Sequence, residues 1–97
     1  METMNQLRAM DIMQSLWEIV RDNKVMLDEL REDFCLRRRP CCAIRRKAKE
    51  AIGKLLVARD RFVRIADKYG FDENYSIVVR TDKLYCLAVG HCAFFEI

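Results

Sequence analysis

From Ala9 onward the apolar side chains advance in alternating steps of four and three: Ala9, Met13, Leu16 and Val20, then a polar Asn23, then Leu27, Leu30 and Phe34. A second run begins after Pro40 and keeps the same rhythm through Cys41, Ile44, Ala48, Ala51, Leu55, Ala58, Phe62, Ile65 and Tyr69. Spacing of this kind gathers the apolar positions into one seam along a helix. It predicts helices over about 5–38 and about 40–69, each roughly 45 Å long at 1.5 Å per residue. Pro40 disfavours helix in the residue before it, which separates the two, and Gly70 suits the left-handed position after a helix end. Equal lengths and a short connection predict an antiparallel hairpin. Folding at the tip then pairs seam residues whose numbers sum to 78, such as Leu16 with Phe62, Val20 with Ala58, and Leu30 with Ala48. Large faces small along the seam, as close packing requires. Asn23, opposite Leu55, reads as a polar residue that sets the register.

Beyond Gly70 the pattern suggests alternation. Strands over 76–80, 83–89 and 92–97, joined at Thr81-Asp82 and Gly90-His91, place Ile77, Val79, Leu84, Cys86, Ala88, Ala93, Phe95 and Ile97 on one wholly apolar face. The opposite face, with Val78, Tyr85, Leu87 and Phe94, is mixed. The expected fold class is α+β: one domain over 1–97, a long antiparallel helical hairpin followed by a three-stranded antiparallel β-meander at about 75–97. The meander is expected to cover the hairpin flank formed by Ile52, Leu56, Val63 and Ala66, with Met10 and Trp17 across the seam.

Composition narrows the function. The 97 residues can bury one modest core, and no apolar run approaches the roughly 18 residues of a membrane span. The N-terminal residues lack the layout of a signal peptide, so a soluble, cytoplasmic protein is expected, with no membrane partner. Five cysteines is an odd number, and in the cytosol they are expected as free thiols. Their spacing, with His91 as the one histidine, gives no zinc pattern, and no catalytic motif is present. The reading is of a non-enzymatic protein without cofactor.

The net charge of +3 conceals a division. Residues 1–34 carry four basic and eight acidic groups, residues 35–69 twelve and three, and residues 70–97 two and four. Arg37, Arg38, Arg39, Arg45, Arg46 and Lys47 crowd the hairpin tip with no acid between them, while Lys47, Lys54, Arg61 and Lys68 recur every seven residues. Such a surface suits phosphates or an acidic protein; the plainer reading is a solvated helix face. Ile12, Ile19 and Met26, also seven apart, face Lys68, Arg61 and Lys54 across the hairpin. This apolar row calls for a covering partner: the meander itself, if it lies on this flank instead, or else a second copy of the chain in a homodimer, or another protein.

Together these features predict a small interaction module that binds a protein or a protein–nucleic-acid complex through the basic helix, the Arg-rich tip and the apolar row. Direct nucleic-acid binding is the alternative. No motif resembles a known family. In size and layout the expected fold is similar to short accessory proteins of phages and mobile elements, among them anti-CRISPR inhibitors of host defence complexes.

Overall fold

The computed structural model describes residues 2–37 and 41–96, with side chains from residue 6. It contains three helices: α1 (Glu2–Cys35), α2 (Cys41–Tyr69) and α3 (Ser76–Phe95). They form an elongated bundle of 53 × 18 × 17 Å.

The two long helices follow the heptad reading closely. Ala9, Met13, Leu16, Val20, Leu27 and Leu30 of α1 are buried, as are Ile44, Ala48, Ala51, Leu55, Ala58 and Phe62 of α2. Phe34, Ile65 and Tyr69 are only half-buried, and Ala66 takes the inward place near the end of α2. Asn23 lies in the seam and donates from Nδ2 to the Ile19 carbonyl at 2.8 Å, so its amide is held within its own helix. The end of α1 is marked by Arg37, whose φ of 51° lies in the left-handed region. Arg38, Arg39, Pro40 and Ile97, which the sequence reading assigns to the tip and the last strand, lie outside the described residues. At the other end of α2, Gly70 adopts φ 76°, and the Phe71 N–H reaches back to the Ala66 carbonyl at 2.8 Å. Phe71 and Ala66 are both buried, which completes a left-handed helix stop with its usual apolar contact.

The expected β-meander is not there. Residues 76–95 form one helix, and no strand occurs among the described residues, so the fold is a three-helix bundle rather than an α+β hairpin with a sheet. Ile77, Thr81, Leu84, Ala88, His91 and Phe95 are spaced four, three, four, three, four, the same seam as in the other helices. Leu84 is half-buried and the others are buried. Two of these positions are polar, which hid the period. Thr81 is wholly buried because its hydroxyl donates to the Ile77 carbonyl at 2.8 Å, and His91 is buried because it bonds to Asp28 of α1. The supposed turn pairs Thr81-Asp82 and Gly90-His91 are therefore helix interior. The supposed apolar sheet face is split, with Ile77, Ala88 and Phe95 inward but Val79, Cys86 and Ala93 exposed. Packing overrides the strand preference of a segment rich in branched and aromatic residues. The similarity to phage accessory proteins rests on size and layout, and of that layout the meander is absent among the described residues.

The expected flank, however, is the one that is covered. α3 runs parallel to α1, with Asp28 beside His91 and Phe34 beside Phe94 and Phe95, and antiparallel to α2, with Arg59 beside Asp82 and Tyr85 and Arg45 beside Glu96. Met10 and Trp17 pack against the core and Ile52 and Ala66 are part of it. Leu56, assigned to the same flank, is exposed.

Candidate interaction surface

With α3 on one flank, the other flank of the α1–α2 hairpin is open. Ile12, Ile19 and Met26 are 50%, 42% and 46% exposed, three large apolar side chains at seven-residue steps along one helix. Ile19 enters a groove of about 550 Å³ between the two helices, lined also by Leu16, Gly53, Lys54, Val57, Ala58 and Arg61. Gly53 is exposed on the α2 side of this groove, and a Cβ placed on it stands in open space. Lys54, Arg61 and Lys68 are exposed and make no ion pair with any described residue. Lys68 lies 5.5 Å from the centre of the Tyr69 ring. The apolar row and the basic stripe therefore form two parallel rails, one on each helix.

The tip residues separate into groups. Arg37, Arg45, Arg46 and Lys47 are exposed at the end of the bundle, and Arg38 and Arg39 are outside the described residues. Arg45 pairs loosely with Glu96 at 3.8 Å, which tethers the start of α2 to the end of α3. A shallower cleft of about 620 Å³ lies there, lined by Cys41, Cys42, Arg45, Arg46, Lys49, Phe95 and Glu96. The tip and the open groove are thus separate features, whereas the sequence reading joined them in one surface.

Sequence reasoning missed the polar contacts that seat α3. His91 Nε2 lies 2.7 Å from Asp28 Oδ1, and the second oxygen of that carboxylate accepts from Lys24 at 2.6 Å. Burial pushes the Asp28 carboxyl up, but the hydrogen bonds from Lys24 and His91, aided by their charges, outweigh it and hold the group below its ordinary 3.8. Arg31 stacks over Phe94 at 4.3 Å and Arg59 over Tyr85 at 4.1 Å. On the expected outer sheet face, Val78, Tyr85 and Phe94 pack against the core, and Leu87 is exposed. The signal available in the sequence is the inward place of His91 between Ala88 and Phe95, once α3 is read as a helix.

The five thiols are free. Cys35, Cys41, Cys42 and Cys86 are exposed, while burial raises the Cys92 thiol above its ordinary value despite an opposing backbone hydrogen bond. That shift disfavours the thiolate at Cys92, the cysteine beside His91. Among the described residues no cluster of three or more His, Cys, Asp or Glu could hold a metal ion, and no helix is long and apolar enough to cross a membrane. No family model, curated protein or solved structure matches the chain.

Proposed function

We propose that the protein is a non-enzymatic interaction module of the cytoplasm, which binds a protein partner on the open flank of the α1–α2 hairpin. What supports the reading is one arrangement: α3 covers one flank and leaves the other with an apolar row on α1 and three cations on α2 that find no carboxylate among the described residues. Large apolar patches beside desolvatable charge are what protein interfaces use for affinity and orientation respectively. Covering the exposed half of one such apolar side chain contributes roughly half of the 1.5–3 kcal/mol of a full burial.

The test is retention of a partner from the native host by the wild-type chain, alongside Ile19→Asp and Arg61→Glu. A partner held by the wild type and lost by both variants is expected; retention indifferent to both refutes the reading. Direct nucleic-acid binding is favoured by one observation, the cluster of Arg46, Lys47 and Lys49 at the tip, none of which makes an ion pair among the described residues. It predicts affinity for a random duplex that falls steeply with salt, is lost with Arg45→Ala and Arg46→Ala, and ignores Ile19→Asp.

A further inference from the structure

The two rails of the open flank restrict the form of the occupant, and not only its class. Ile12, Ile19 and Met26 stand at seven-residue steps, and so do Lys54, Arg61 and Lys68. Because α1 and α2 are antiparallel, the rows run level: Ile12 with Lys68, Ile19 with Arg61, Met26 with Lys54, each pair summing to 80. Each row spans fourteen residues, or about 21 Å. A seven-residue repeat is matched by an occupant whose own side chains return to one face every two turns, which is a helix.

From this we infer that the groove takes an acidic amphipathic helix of about 14–18 residues, with its apolar stripe on Ile12, Ile19 and Met26 and its carboxylates toward Lys54, Arg61 and Lys68. The inference rests on the proposed function and names the partner's chemistry. The opposite groove of the same hairpin already seats a helix, α3, by the same combination of apolar seam and flanking charges. A nucleic-acid backbone satisfies the cations but leaves the aliphatic row without apolar contact. A second copy docked by this face brings the same three cations to the interface, and sedimentation reads that outcome directly.

The probe is a labelled 18-residue helical peptide with Leu at heptad spacing and Glu beside it, compared with a peptide in which every Glu is Gln. Anisotropy titrations at low and physiological salt read its affinity for the full chain. The expected result is binding of the Glu peptide at least about tenfold tighter than the Gln peptide, with a similar loss in Arg61→Glu. Gly53→Leu adds a side chain to the α2 lining of the groove while improving helix propensity, with open space at its Cβ, and circular dichroism checks that the fold is kept. It is expected to weaken the Glu peptide by at least about tenfold while helicity is kept. Absence of binding, equal affinity for both peptides, or affinity unmoved by Gly53→Leu overturns the inference. So does a dimer by sedimentation that Ile19→Asp converts to monomer, since the face is then filled by a second copy. If the peptides fail while retention of a host partner still depends on Ile19 and Arg61, only the helix inference falls; if that dependence is absent too, the proposed function falls with it.

Discussion

Replacing His91 and Asp28 singly and together measures how α3 is tied to the hairpin. The His91 side chain is 9% exposed, whereas the Asp28 side chain is 43% exposed, so the bond is half-wetted from the carboxylate side. A hydrogen bond to a charged group contributes about 1.5–3 kcal/mol when sheltered. Screening at the exposed carboxylate lowers the expected coupling to about 1–1.5 kcal/mol. Single variants misstate it. His91 Nδ1 is buried without a hydrogen-bond partner among the described residues, so His91→Leu loses the bond to Asp28 but relieves that desolvated nitrogen. Asp28→Asn disturbs Lys24 as well as His91. The assay is urea unfolding followed by circular dichroism at pH 7 for wild type, His91→Leu, Asp28→Asn and the double variant. A coupling energy below about 0.3 kcal/mol, the scatter of independent sites, refutes the view that this contact seats α3. The pH dependence has a definite sign. A carboxyl held below its ordinary 3.8 in the folded chain contributes stability that is present above that value and lost as the pH falls through the lower folded one. Stability of the wild type is therefore expected to fall more steeply below about pH 5 than that of Asp28→Asn.

Two further substitutions test the core and the helix stop. Phe62→Ala removes a ring that is almost fully buried in the α1–α2 seam and is expected to cost about 3–5 kcal/mol in the same urea assay; a loss under about 1 kcal/mol would mean the seam is not close-packed. Gly70→Ala places a Cβ at φ 76° and is expected to cost about 1–2 kcal/mol, although nothing crowds the site, because the strain is in the backbone alone; an unchanged midpoint would contradict the left-handed helix end.

The hairpin was legible because its seams are almost unbroken. Between Ala9 and Phe62 every step of the pattern lands on an apolar residue except Asn23, and the antiparallel arrangement follows from a connection too short for anything else. α3 was not legible for two separate reasons. Thr81 and His91 occupy inward positions, where a polar residue normally argues against a helix seam, and only the Ile77 carbonyl and the Asp28 carboxylate make them acceptable there. Its outer side also carries Val79, Leu87 and Val89, so the helix has no clean polar face against which a period of 3.6 stands out. Apolar residues on nearly every side fit alternation by chance. The open flank fared better than the element opposite it: Ile12, Ile19 and Met26 are exposed whichever kind of structure covers the other side.

The left-handed turn at Arg37 has an electrical counterpart. Because α3 is parallel to α1, two helix C-termini and one N-terminus converge at the tip, a net of roughly half an elementary negative charge from the peptide dipoles. Neither α1 nor α3 carries a basic residue in its last turn, so Arg37, Arg45 and Arg46 supply the opposing charge from beyond the helix ends. At the far end Asp72 and Glu73 precede the N-terminus of α3. These side chains oppose the peptide dipoles at the two ends of the 53 Å axis. A polyanion approaching from a distance turns the molecule tip-first before any contact forms, which affects the rate of encounter more than its strength. Salt removes this turning first, because it acts beyond the roughly 8–10 Å over which charges remain unscreened, while contacts inside the groove lie within that range.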